Sequence, residues 1–194
     1  MSSVSLSKYI GIDQREWGIT NSTSPTPCIG APGVASCIAM IVQAPIFKTA
    51  AIAHLDNGTA KKENVDKILA EMSKISRHED LVVTFIGGWK TTASINTFVR
   101  NLIHSWKEKN FCQINDQLLF SKDLGDGYPY VWVDTRDGTV HAEDQIPEEF
   151  SNAERINDIP LGQLRSPSLI QSVDARRPIR LELHPSIKDE VLNR

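Results

Sequence analysis

The 194-residue sequence has no long hydrophobic run. Its longest uninterrupted apolar stretch, residues 38–42, is far shorter than the roughly 20 residues of a membrane-spanning helix, and its N-terminus lacks the basic-then-apolar pattern of a secretion signal. An excess of one charge is also missing, because 24 acidic and 21 basic residues give a net charge of −3. We therefore expect a cytoplasmic, or also nuclear, protein that binds neither membranes nor nucleic acid.

Cysteine is scarce as well. The three cysteines, Cys28, Cys37 and Cys112, form no CxxC pair and no cysteine–histidine cluster with zinc-ligand spacing. A disulfide scaffold and a structural zinc site are both unsupported, so we expect free thiols. Cys112 follows a predicted helix and is interpreted as a core residue, whereas Cys28 lies in a proline-flanked segment that we predict to be a loop.

Proline is absent between Pro45 and Pro129, which leaves room there for long regular elements. Two groups of apolar residues recur at helical spacing in this stretch and predict two amphipathic helices: Val65, Ile68, Leu69, Met72 and Ile75, then Ile95, Phe98, Val99, Leu102, Ile103 and Trp106. Thr92 is the predicted N-cap of the second helix.

Short apolar or alternating runs predict strands at residues 36–42, 48–54, 81–86, 117–121 and 130–134. Residues 9–12 and 16–20 flank Asp13 and Gln14, which predicts a hairpin or a bent strand. Because the helices alternate with these strands, we expect an α/β fold, an α+β sandwich of mixed β-sheet layers with two amphipathic helices packed on them. Residues 141–194 are irregular and proline-rich, and we expect them to wrap the domain formed by residues 1–140.

One cysteine and one histidine lie where strand pairing brings them together. Cys37 opens a predicted strand after small residues, and His54 ends the next strand seventeen positions later. If residues 44–47 form the turn of a hairpin, the two side chains come side by side. A nucleophilic thiol needs such a base and also hydrogen-bond donors for an oxyanion, which the backbone N–H groups near Ser36 and Cys37 can supply. The alternative is that both residues only pack in the core.

Four segments in order resemble the protein N-terminal asparagine amidohydrolase family, whose members convert an N-terminal asparagine to aspartate. They are QREWGIT at residues 14–20, ASCI at 35–38, AHLD at 53–56 with Gly58 and Thr59 just after, and residues 81–88, which end in two glycines. The cysteine-to-histidine spacing also resembles that of bacterial chemoreceptor glutamine deamidases, which share a fold with the catalytic domain of cytotoxic necrotizing factor. The resemblance covers about the first 140 residues and implies a catalytic domain of the deamidase type there.

The resemblance implies that Cys37 is the nucleophile and His54 the base, and the chemistry needs no metal or organic cofactor. The glutamine deamidases carry a hydroxyl-bearing residue six positions before the cysteine, where this chain has Ala31. The group that orients His54 is therefore left open among Ser36, Thr20, Asp56 and a backbone carbonyl. Pairing with His54 also predicts a lowered pKa for the Cys37 thiol.

A protein or peptide substrate with a free N-terminus carries an α-ammonium group, which a carboxylate in the site could bind. Glu16 is the first candidate for this role and Asp56 the second, and Gly88, with Gly87 and Trp89, is a candidate for the pocket wall. Two other functions remain open: a glutamine deamidase that acts on internal side chains, which would need no ammonium site, and a non-catalytic binding protein of the same fold.

Overall fold

The structure, a computed structural model, describes residues 8–90, 94–143, 154–156 and 179–180. The strands in these residues form two sheets. The first sheet has five strands in the order β10 (Thr139–Glu143), β9 (Tyr128–Asp134), β3 (Cys28–Val34), β1 (Lys8–Gly11) and β11 (Glu154–Ile156). The second has the order β12 (Ile179–Arg180), β2 (Glu16–Asn21), β5 (Thr49–Leu55), β4 (Ile38–Ala44), β6 (Val82–Trp89) and β7 (Gln113–Asn115), and β8 (Leu119–Lys122) also pairs with β6.

Alternate residues of the central strands face two different cores, as a sheet with both faces covered requires. On one side Ile52 of β5 packs with Ile41 of β4 and with Val131 of the first sheet, so this core lies between the two sheets. On the other side Leu55 of β5 packs with residues of the helices α1 (Lys62–Ser73) and α2 (Ser94–Glu108). The molecule is thus layered as sheet, sheet and helices, and the predicted α+β sandwich is confirmed.

Both predicted helices are present, and each buries its apolar stripe. In α1 the buried apolar residues are Val65, Ile68, Leu69 and Met72, and in α2 they are Ile95, Val99, Ile103 and Trp106. The side chain of Asn57 caps the start of α2, because its Oδ1 accepts hydrogen bonds from the Ser94 hydroxyl and the Ile95 N–H, both at 3.1 Å. The predicted N-cap, Thr92, lies outside the described residues. Neither helix is long and apolar enough to cross a membrane in the part of the chain that the structure describes.

Two local predictions are wrong. β1 and β2 do not form a hairpin, because β1 pairs in parallel with β3 in the first sheet whereas β2 pairs with β5 in the second. Between them the chain turns at Arg15, which has a left-handed φ of 72°. Cys28 is not in a loop: it begins β3, is fully buried, and lies opposite Asp134 of β9. Pro32 and the two glycines of this strand hid its alternation in the sequence.

Candidate active site

The register of β4 and β5 brings Cys37 and His54 to the same end of the second sheet. Ile38 lies opposite Leu55 and Ala39 opposite His54. Cys37 therefore stands one residue beyond the last pair, two positions from the partner of His54. Diagonal neighbours of this kind lie about 7–8 Å apart in a sheet. The predicted turn at residues 44–47 is present as a short 3-10 helix at Pro45–Phe47.

His54 is buried and points between the sheets. It lies on the same face of β5 as Ala50 and Ile52, which belong to the core between the sheets, and only 3% of its surface is exposed. Neither ring nitrogen meets the geometry of a full hydrogen bond with a described residue, although the Ile12 carbonyl lies near enough to act on the ring. Burial lowers the pKa of His54, and this outweighs the nearby Ile12 carbonyl and the charges of Asp13 and Asp56, which act to raise it. His54 is therefore a neutral imidazole with nitrogen atoms available for proton transfer.

Asp56 organises the turn that follows β5. Its Oδ1 accepts hydrogen bonds from the N–H groups of Gly58 and Thr59 and from the Thr59 hydroxyl, each at 2.9 Å. Its Oδ2 accepts from Arg15 Nε at 2.6 Å and Gln14 Nε2 at 3.0 Å. Burial by itself would raise the pKa of Asp56, but these hydrogen bonds and the charge of Arg15 lower it. Asp56 is an ionised carboxylate whose two oxygens are already occupied.

Cys37 is half-buried and carries a neutral thiol. Burial raises the pKa of Cys37, and the negative charge of Asp56 raises it further. A hydrogen bond from Ser36 and the positive charge of Arg15 oppose this shift without reversing it. The prediction of a lowered pKa is therefore wrong, because desolvation and the neighbouring carboxylate both disfavour a thiolate. The other two thiols are also held neutral, since burial raises the pKa of Cys28 to about 12 and that of Cys112 to about 11.

The double glycine at the end of β6 fixes the backbone that carries Cys37. The Gly88 N–H donates to the carbonyl oxygens of Cys37 at 2.8 Å and Ala35 at 2.9 Å. Gly87 has a φ of 99°, and a Cβ there would lie 2.6 Å from the Cys37 oxygen and 2.5 Å from Val34 Cγ1. Only glycine allows this approach. Gly88 thus fixes the backbone of residues 35–37, here called the cysteine loop, and its place in the substrate pocket stays a prediction.

Hydrogen-bond donors remain beside the sulfur. The N–H groups of Ser36 and Cys37 donate to no backbone carbonyl within the described ranges. The two residues lie in a bend between β3 and β4, where no sheet partner competes for these groups. A reacting carbonyl held at Cys37 would find them in place as an oxyanion-binding pair.

Two carboxylates lie in the turn that faces His54. Asp13 is exposed and acts on the pKa of His54 by its charge. Glu16 is half-buried, and its Oε2 accepts a hydrogen bond from the Asp13 N–H at 3.0 Å. The Arg15 N–H donates to the His54 carbonyl at 2.9 Å and ties this turn to β5. Glu16, predicted from the sequence as a substrate ligand, is thus accompanied by Asp13, which the sequence analysis overlooked.

The groups considered for orienting His54 lie in different surroundings. Ser36 donates to Cys37, and the Thr20 hydroxyl donates to the Thr26 carbonyl at 2.6 Å. Ala31 is fully buried in the core between the sheets. The polar group that acts most on the imidazole is the Ile12 carbonyl. A backbone carbonyl such as that of Ile12 leaves no signal in a sequence, whereas Arg15 lies within the QREWGIT segment.

No cluster of three or more metal-ligating side chains occurs in residues 8–90, 94–143, 154–156 and 179–180. The arrangement is a buried base, a thiol and backbone donors, which suits acyl-transfer chemistry at an amide. Comparison with known families gives a match over residues 1–119 to the model described as protein N-terminal asparagine amidohydrolase. Comparison with curated proteins gives no match.

Proposed function

This chain belongs to the protein N-terminal asparagine amidohydrolase family, hydrolases that act on an amide, and from that premise we propose that Cys37 is its nucleophile and His54 its general base. The observation that carries the proposal is the register of β4 and β5, which brings a thiol diagonally beside a buried imidazole whose nitrogens make no full hydrogen bond with a described residue. The backbone donors at Ser36 and Cys37 and the glycines behind them add further support.

The first half-reaction forms a thioester. Both groups are neutral at rest, so the proton of the thiol passes to His54 as the sulfur attacks the side-chain carboxamide carbon of the N-terminal asparagine. The oxygen of the tetrahedral intermediate accepts hydrogen bonds from the N–H groups of Ser36 and Cys37, each worth about 2.7–4 kcal/mol when well aimed. The imidazolium of His54 then protonates the nitrogen, and ammonia leaves.

The second half-reaction hydrolyses the thioester. His54 takes a proton from water, the hydroxide attacks the acyl carbon, and the Cys37 sulfur leaves and regains its proton from the imidazolium. Aspartate remains at the N-terminus of the substrate. Neither half-reaction requires a metal or an organic cofactor. Ser36 stabilises the leaving thiolate through its hydrogen bond to the sulfur.

Selection of the N-terminus rests on Glu16 and Asp13, whose carboxylates attract an α-ammonium group. Asp56 is the second candidate for this task, and its oxygens accept five hydrogen bonds from the turn and from Arg15 and Gln14. The substrates are proteins or peptides with a free N-terminal asparagine. In a cytoplasm with an arginylation-dependent degradation route, the product aspartate would mark these proteins as N-degrons.

Mass spectrometry of synthetic peptides tests this function. We expect a peptide that begins with asparagine to gain about 1 Da, as an amide becomes an acid. The same peptide with an acetylated N-terminus and one that begins with glutamine should react far more slowly. Equal turnover of the acetylated peptide would contradict N-terminal selection, and turnover of an internal glutamine alone would assign the chain to glutamine deamidation.

Variants of two cysteines test the nucleophile. Cys37→Ser should lower turnover by at least about a thousandfold, because a serine hydroxyl is a far weaker nucleophile beside a neutral histidine. Cys112→Ser is the matched control: this half-buried thiol follows α2 and should be dispensable. Retained activity of Cys37→Ser would contradict the assignment of Cys37 as the nucleophile. Loss of activity in Cys112→Ser with an unchanged melting temperature would show that the wrong thiol had been assigned.

A further inference from the structure

Arg15 is fixed at the candidate site by two contacts. Its N–H donates to the His54 carbonyl at 2.9 Å, and its Nε donates to Asp56 Oδ2 at 2.6 Å. Asp56 is itself immobilised by the turn at Gly58 and Thr59. The side chain of a guanidinium that is tied through Nε to a rigid carboxylate is already ordered. It would therefore lose little further conformational freedom when a ligand binds.

The same contacts bring the guanidinium close to the reacting thiol. Asp56 follows Leu55, the last paired residue of β5, just as Cys37 precedes Ile38, its partner in β4. Cys37 and Asp56 are thus the next facing positions at this end of the sheet. Arg15 binds the Asp56 carboxylate, and 36% of its side chain is exposed. Its charge also acts on the sulfur, lowering the pKa of Cys37 against the larger effects of burial and Asp56.

Two of the three guanidinium nitrogens are not used within the described ranges. Its terminal nitrogens, Nη1 and Nη2, make no hydrogen bond within the described ranges, and the hydrogen bond to Asp56 is donated by Nε. The two terminal nitrogens of arginine form a planar fork that matches the two oxygens of a carboxylate. A carboxamide fits this fork poorly, because it has one oxygen and an NH₂ group whose hydrogens would face other hydrogens.

We propose that the Arg15 fork binds the carboxylate formed at Cys37, the side chain of the product aspartate, so that the site holds its product more tightly than its substrate. The inference rests on the proposed function, because it needs the reacting carbon at Cys37. Arg15 then recognises the product side chain while the carboxylates of Glu16 and Asp13 attract the α-ammonium group. The site therefore fits an N-terminal aspartate as an inhibitor of the reaction that makes it.

Binding to a Cys37→Ala variant tests the proposal, since this protein cannot turn the substrate over. Titration calorimetry would compare two peptides that differ only in an initial asparagine or aspartate. We expect the aspartate peptide to bind at least about tenfold more tightly, as a charge-assisted pair of hydrogen bonds implies. In the double variant with Arg15→Gln this preference should disappear, whereas Gln14→Ala, which removes the other side-chain donor to Asp56 Oδ2, should retain it.

Equal affinity for the two peptides would overturn the proposal, and so would a preference that survives Arg15→Gln. Arg15→Lys provides a second variant if Arg15→Gln does not fold: a lysine can neutralise Asp56 but has no fork, so the preference should fall several-fold. Free asparagine, which carries an α-carboxylate but no side-chain carboxylate, would be a third ligand. If it bound as tightly as the aspartate peptide, the proposal that Arg15 binds the side-chain carboxylate would be overturned. Turnover by the wild-type protein is scored separately, so that a failure of the proposed function is distinguished from a failure of product binding.

Discussion

Cys37 faces a carboxylate as well as an imidazole, and the charge of Asp56 opposes ionisation of the thiol. Slow alkylation of Cys37 at neutral pH is therefore expected and does not contradict a catalytic role. In the proposed mechanism the thiolate exists only while His54 holds the proton, which would protect the sulfur from adventitious oxidation because the thiolate is the reactive form.

Asp56→Asn should lower the pKa of Cys37, since it removes a negative charge and leaves Arg15 nearby. Oδ1 of the asparagine can still accept the hydrogen bonds of the turn, so the fold should persist. Site-resolved mass spectrometry of iodoacetamide labelling would show the pH midpoint of Cys37 alkylation moving down, with a several-fold faster reaction at pH 8. Asp66→Asn, on the exposed face of α1, should leave the midpoint unchanged. A midpoint that moves up in Asp56→Asn would contradict the electrostatic account.

Burial of His54 makes stability depend on pH. Its pKa is lowered in the folded protein, so below about pH 6.5 the unfolded chain binds a proton that the folded chain resists. The contribution of neutral His54 to the free energy of unfolding is therefore complete above pH 6.5. It is lost as the pH falls toward the folded-state pKa, by at most about 1.4 kcal/mol per pH unit. Urea unfolding at pH 7.5 and 5.5 should show a larger loss for the wild type than for His54→Gln. An equal loss in both proteins would mean that His54 is not the group responsible.

At the scale of elements, the end of β6 supports the cysteine loop through glycines rather than side chains. Gly87→Ala should destabilise the protein by about 2–4 kcal/mol, because the new Cβ meets Val34 and the Cys37 carbonyl and the φ of 99° disfavours alanine. Turnover should also fall, since the Cys37 backbone must move. Gly138→Ala is the matched control: its φ is 79°, but its Cβ would meet only Gln43 Nε2 at 3.9 Å. It should cost about 1–2 kcal/mol and leave turnover unchanged. Equal effects of the two substitutions would contradict the packing argument.

The connection between β1 and β2 is the element that sequence reasoning misread. Alternation predicted both strands, but a hairpin and a crossing between two sheets have the same local pattern. The difference lies in the partners, β3 for β1 and β5 for β2, which are distant in the sequence. This crossing delivers Arg15 to His54 and Asp56. Because a hairpin was predicted here, the role of Arg15 in product binding could not be inferred from the sequence.

At the scale of the whole molecule, the residues beyond the matched family region complete both sheets. β11 pairs with β1 and β12 pairs with β2, and the latter pair includes Glu16 beside the Arg15 turn. A chain that ends at Glu143 would lose three and two paired residues at these edges. We expect a loss of roughly 2–5 kcal/mol in the free energy of unfolding and a lower turnover of the asparagine peptide. Unchanged stability and turnover in the shortened chain would contradict this role.

Much of the architecture was predictable because periodicity is local. The spacing of apolar residues predicted α1, α2 and the central strands, and the short turn after β4 made it foreseeable that Cys37 and His54 lie at the same end of the sheet. β3 was missed because Gly30, Pro32 and Gly33 break its pattern, and its place in the sheet depends on β9, about 100 residues later.

The sequence by itself determined the sandwich class, the family, and a cysteine and histidine at one sheet end, since these follow from periodicity, motif order and spacing along the chain. Only the tertiary structure decided the electrostatics. Arg15 and Asp56 are 41 residues apart in the chain, and their contact forms only once β2 pairs with β5, whereas the burial of His54 needs the packing of the two sheets. Desolvation and ion pairing depend on neighbours in space. The neutral thiol, the neutral imidazole and the guanidinium that binds Asp56 through Nε alone are therefore consequences of the tertiary structure and not of the local sequence.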